Sequence, residues 1–151
     1  MNIKICSFED IEDIAKTPFE PKTALISISD YDDELPQMAY EPEHILRFVF
    51  EDISIEDLSE EELIKARKDN RLFTENQAEK IAEFILPLEP KIDLLICQCI
   101  YGQSRSAGCA AAIKEYFYKS GIDIFADYKY TPNKLVFNKT LKALKKYGKQ
   151  V

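Results

Sequence analysis

Chemistry concentrates in one stretch, Cys97-Gln98-Cys99-Ile100-Tyr101-Gly102-Gln103-Ser104-Arg105-Ser106, where a thiol and a guanidinium stand with five residues between them. A thiolate is a strong nucleophile, and a helix N-terminus with a nearby arginine stabilises it. Arg105 offers a planar, permanently charged fork that matches two oxygens of a phosphate, and its hold strengthens as those oxygens gain charge. Gly102 allows the backbone to curl close to an anion at φ values other residues tolerate poorly. The N–H groups of Ile100, Tyr101, Gly102, Gln103, Ser104 and Arg105 would then converge on three phosphate oxygens. Ser106 can donate a hydrogen bond to the sulfur and ease departure of the thiolate. The stretch therefore reads as a phosphate-binding catalytic loop, with Cys99 as nucleophile and Arg105 as clamp.

A loop of this kind works only if a strand delivers it and a helix receives it. The apolar run Ile92–Ile96 leads in and the alanine-rich Ala107–Ile113 leads out. Spacing of Cys and Arg alone is a common accident. Glycine at the fourth loop position, serine after the arginine, and the strand-then-helix context make the match specific.

The remaining chain predicts the elements that position this loop. Ile3–Cys6 is a short alternating strand, and Ser7 with Asp10 caps a helix to about Lys16. Thr23–Ile28 is a β-branched buried strand, followed by an acidic loop from Asp30 through Asp32 and Asp33 to about Glu43. Ile45–Phe50 is a third strand. Residues 55–68, acidic first and basic last, predict one surface helix. Thr74 and Gln77 cap another, whose Ala78, Ile81, Ala82 and Ile85 share a face and which Pro87 closes. Asp93–Cys97 is the strand before the loop, and a helix from about Ser106 to Lys119 takes Gly121 as C-cap. Ile122–Phe125 reads as a final strand. Thr131-Pro132-Asn133 introduces a last helix to about Tyr147, capped by Gly148. This alternation implies a single α/β domain over residues 1–151, with a mostly parallel sheet flanked by helices. Ligands in such sheets sit beyond the carboxyl ends of the strands, where the loop and Asp52 both fall.

Composition sets limits on partners. Residues 1–75 hold 8 Lys+Arg against 20 Asp+Glu, a net of −12, and the rest of the chain carries +5. The anion loop lies in the basic half. No basic cluster with interleaved aromatics speaks for nucleic acid, and no apolar run approaches a membrane span. Three of the four cysteines crowd one loop, which is a poor disulfide framework. With no export signal, reduced thiols and a cytoplasmic location are expected.

Cys99 to Ser106 resembles the signature of the cysteine-based protein tyrosine phosphatases, nearest to their small dual-specificity-like branch. The Ile-Ser-Ile strand, the Phe-Glu-Asp turn, the Phe-Thr-Glu-x-x-Ala helix and the alanine-rich helix extend the similarity along the chain. The resemblance implies a phosphocysteine intermediate at Cys99, hydrolysis by water, and no metal or other cofactor. It also implies an aspartate general acid on a loop N-terminal to the signature. Asp52 matches that position, with Glu51 and Asp57 as competitors. The family normally places His before the nucleophile, whereas this chain has Gln98. Gln98 can brace the loop through its amide but brings no positive charge, so activity is expected to be weak or shifted in pH.

The loop carries no lysine or second arginine, unlike loops built for highly phosphorylated inositols. A phosphotyrosine-like ester, on a protein or a small molecule, is the expected substrate. Tyr101, Tyr31 and Tyr40 are candidate aryl contacts. Cys97 and Cys109 flank the nucleophile as core thiols, with redox protection as the less favoured role. Two other readings stay open: a phosphate-recognition module with weak or lost catalysis, and a rhodanese-like sulfurtransferase.

Overall fold

A computed structural model describes residues 1–31 and 34–149; Asp32 and Asp33 of the acidic loop lie outside the described residues. Among the described residues, four strands form one sheet: β1 (Asn2–Cys6), β2 (Thr23–Ser29), β3 (His44–Val49) and β4 (Leu94–Gln98). Their order is β1-β4-β2-β3 and every neighbouring pair is parallel. All residues of β2 are buried, as a strand covered on both faces requires. Parallel pairing brings the four carboxyl ends to one rim. There the register sets Cys6 and Ser27 on either side of Gln98.

Helices cover both faces. α1 (Phe8–Ile14) packs Ile11 against Cys6, Leu25 and Ile96 on one side. The other side holds α3 (Glu75–Leu88), α4 (Arg105–Tyr118) and α6 (Lys134–Gly148), whose Ile81, Ile85, Ile113 and Leu144 join Ile26, Ile28 and Leu95 in the main core. Every residue of α4 from Arg105 to Ile113 is buried, and most are small. Small side chains let α4 lie deep between the sheet and α6. At Gly108 an added Cβ would come within 2.5 Å of the Asn133 carbonyl oxygen, so α4 and the start of α6 touch backbone to backbone. No helix among the described residues is long and apolar enough to cross a membrane.

Several sequence expectations are corrected. Ile122–Phe125 is not a strand but the start of α5 (Ile122–Ala126), with Ile122 exposed and Ile124 buried. Phe125 stacks edge-on against Phe137 of α6, and this tertiary packing overrides the strand propensity. Gly121 does not cap α4; Lys119 does, at φ 56°, and Gly121 opens α5. The predicted helix over 55–68 splits into a 3₁₀ turn at Ile55–Asp57 and α2 (Glu60–Lys68). Its cause is a second capping box: the Ser59 side chain accepts from the Glu62 N–H, and Glu62 reaches back to Ser59. Pro87 lies inside the last turn of α3 instead of closing it. Gly148 is the final residue of α6, and Lys149 caps it.

Candidate active site

β4 ends at Gln98, and the chain curls through Cys99–Ser104 before α4 begins at Arg105. Two walls hold the curl. On one side Phe8 N–H donates to the Ile100 carbonyl (2.9 Å) and Cys99 N–H to the Cys6 carbonyl (3.3 Å). Gly102, at φ +64°, presses on the same wall; a Cβ there would come 2.7 Å from Cys6 C and Ser7 N. On the other side Thr131 N–H donates to the Gln103 carbonyl (2.9 Å) and Asn133 N–H to the Ser104 carbonyl (3.0 Å). The carbonyls thus point outward into the walls. Among the described residues, no carbonyl or side chain accepts from the N–H groups of Ile100 to Ser104.

Cys99 is 3% exposed, and its Sγ lies 3.0 Å from Oγ of the fully buried Ser106. Arg105 is also 3% exposed. Its Nη1 donates to the Asp30 carboxylate and to the Phe50 carbonyl (2.6 Å), while its buried Nε has no partner among the described residues. Asp30 follows β2 and Phe50 follows β3, so two strand ends aim the guanidinium. Gln98 is buried; its Oε1 accepts from Ser27 Oγ across the β2–β4 pairing, and its Nε2 has no partner among the described residues.

Of the three candidate carboxylates, Asp52 is the one joined to the loop. Its Oδ1 accepts from Ser104 Oγ (2.7 Å) and from Asn133 Nδ2 (2.9 Å). Glu51 pairs instead with Arg71, and Asp57 lies in the exposed 3₁₀ turn. Tyr101 is 78% exposed at the loop's crest. The Tyr31 hydroxyl donates to the Asn70 carbonyl (3.1 Å), tying the acidic loop to the turn after α2. Tyr40 is held through its backbone at the end of α1, where its N–H donates to the Ala15 carbonyl (3.1 Å).

Two other thiols, Cys6 and Cys97, are held in the neutral form by their surroundings. Burial pushes Cys6 up to about 11. Cys97 is held well above an ordinary thiol, first by its hydrogen bond with Cys109 and then by burial. Among the described residues, no group of three His, Cys, Asp or Glu side chains is placed to share a metal ion.

Asp30, Ser27 and Asn133 are the members of the site that sequence reasoning missed. Asp30 had a usable signal, since it directly follows the carboxyl end of a buried strand. Asn133 was legible only as a helix cap. Ser27 carries no signal of its own, because its role depends on register with Gln98.

The fold is that of the small cysteine-based phosphatases of the tyrosine and dual-specificity kind. PTPMT1 superposes at a TM-score of 0.55 and 13% identity, covering 99% of this chain and 93% of that one. Human DUSP28 superposes at a TM-score of 0.51 and 17% identity, covering 99% and 95%. PTPMT1 in complex with PI(5)P gives a TM-score of 0.52 at 13% identity over 85% and 80%. No family model and no curated protein matches the chain. At these identities the likeness speaks for the fold alone.

Proposed function

We propose that the protein hydrolyses phosphomonoesters through a covalent phosphocysteine at Cys99. The observation that carries this reading is a buried arginine, fixed on one side by Asp30 and Phe50, whose Nε has no partner among the described residues and which closes the loop that Cys99 opens. A buried unsatisfied guanidinium nitrogen is costly unless an anion takes it. A phosphate group fits, with Arg105 and the N–H groups of Ile100–Ser104 on its oxygens.

In the first step the Cys99 thiolate attacks phosphorus, an S–P bond forms and the P–O ester bond breaks. The leaving oxygen takes a proton from Asp52. In the second step Asp52, now ionised, accepts a proton from water as the water attacks phosphorus. The S–P bond then breaks, phosphate leaves, and Ser106 receives the returning thiolate with a hydrogen bond.

A phosphotyrosine-like substrate is favoured because residues 99–105 contain no cation except Arg105, and because Tyr101 stands exposed beside the cradle. PTPMT1, seen with PI(5)P, makes an inositol phosphate the substrate to test against it. Gln98 supports one competing reading, phosphate recognition with little turnover, since its neutral amide supplies no charge from the position before the nucleophile.

Hydrolysis of p-nitrophenyl phosphate is the direct test. Activity should vanish in Cys99→Ser and be inhibited by vanadate. Asp52→Asn should lower turnover on the order of 10²-fold or more and remove the fall of kcat/KM at high pH, because a general acid must be protonated to act. Phosphate binding without turnover would select the recognition module, and cyanide-dependent cleavage of thiosulfate the sulfurtransferase.

A further inference from the structure

Asn133 sits where three segments meet, and each of its polar groups is committed to a different one. Its backbone N–H donates to the Ser104 carbonyl in the loop (3.0 Å). Its Oδ1 accepts from Val136 N–H (3.1 Å) and so caps α6. Its Nδ2 donates to Asp52 Oδ1 (2.9 Å) and to the Ile53 carbonyl (3.2 Å). The residue is 4% exposed. These partners fix which way the amide faces. A backbone N–H can only donate and a carbonyl can only accept, so the nitrogen must face Asp52.

The consequence lies on Asp52. Its Oδ1 already receives two donors, Ser104 Oγ and Asn133 Nδ2. An oxygen engaged in that way is a poor seat for a proton, and the neutral carboxyl will carry its proton on Oδ2. We propose that Asn133 is a positioning residue for the acid–base step. It clamps the Asp52 loop to the phosphate loop and reserves Oδ2 for the proton that passes to the leaving oxygen. This inference rests on the phosphatase reading above. The clamp is stiff because α4 backs it: the Asn133 carbonyl lies against Gly108, three residues after Arg105. One helix therefore sets the position of both the phosphate clamp and the group that holds the acid.

The test uses Asn133→Ser, which keeps a good helix cap but is too short to reach Asp52, with Asn133→Asp as a second cap-preserving variant. Rates are measured on aryl phosphates whose leaving phenols become progressively more basic. A good leaving group needs little protonation, so p-nitrophenyl phosphate should be affected least in Asn133→Ser. Phenyl phosphate should lose roughly 10- to 100-fold, a part of what the general acid supplies. The steeper dependence on leaving group should match that of Asp52→Asn, and the double variant should be no worse than Asp52→Asn alone. A uniform loss across the series, or additive losses in the double variant, overturns the positioning role while leaving the phosphatase reading intact. A wild-type protein with no Cys99-dependent hydrolysis overturns both.

Discussion

Four cysteines lie within the core, yet they differ in chemistry because they differ in neighbours. Cys6 is pushed up to about 11 by burial, and Cys97 is held high by Cys109 and by burial. A raised thiol is neutral below its pKa, so at pH 7 neither Cys6 nor Cys97 presents a thiolate. Cys99 stands at the start of the candidate phosphate loop, beside Ser106. Iodoacetamide at pH 7 should therefore modify Cys99 selectively, and vanadate or phosphate should protect it. Peptide mapping by mass spectrometry reads the site, and label on Cys6 or Cys97 would contradict the assignment. At this scale the sequence was most informative where residues are neighbours in the chain: Cys99, Gly102, Arg105 and Ser106 lie in one short stretch, and Cys99 meets Ser106 directly. Asp30 and Asn133 act across 75 and 81 residues of chain, on Arg105 and Asp52 respectively. No periodicity encodes a contact that depends on strand order.

The elements show the same division. Ser7 with Asp10 and Thr74 with Gln77 announce α1 and α3, because a capping box is a local exchange of hydrogen bonds. The four strands are equally plain in their apolar runs. Their order β1-β4-β2-β3 is a property of packing, as is the helical state of Ile122–Ala126 on the flank of α4. The contact between α4 and the start of α6 carries the sharpest element-scale prediction. Gly108→Ala would place a methyl group 2.5 Å from the Asn133 carbonyl oxygen, an approach that rigid backbone cannot absorb. The overpacked variant should lose about 1–3 kcal/mol of stability. Because Asn133 moves with α6, its acid step should weaken as well. Thermal unfolding and turnover of phenyl phosphate would both fall. Unchanged stability would mean that α6 yields freely and that the clamp on Asp52 is soft.

Charge is distributed over the whole molecule in a way that shapes what reaches the site. The carboxylates at the strand-end rim come from the acidic half of the chain: Glu9 and Asp10 on the first turn of α1, Asp30 after β2 (paired with Arg105), and Glu51 (paired with Arg71) and Asp52 after β3. Lysines gather elsewhere. Lys134, Lys139, Lys142 and Lys146 of α6 line a groove of about 640 Å³ against α3 and the 3₁₀ turn. On the phosphatase reading, Arg105 and the loop N–H groups would hold a phosphate inside this carboxylate rim. The loop would take the phosphate whatever it is attached to, and the rim would act on what flanks it. Phosphotyrosine peptides with Lys or Arg beside the phosphorylated residue should be turned over with kcat/KM on the order of 10-fold above peptides with Asp or Glu there, at low ionic strength. Salt should narrow the gap, since charges separated by more than about 8 Å are largely screened at 0.15 M. A small aryl phosphate without flanking charge should show little of this effect, which separates rim from loop. Preference for acidic flanks at low salt would place the substrate's approach over the lysines and away from the strand-end rim.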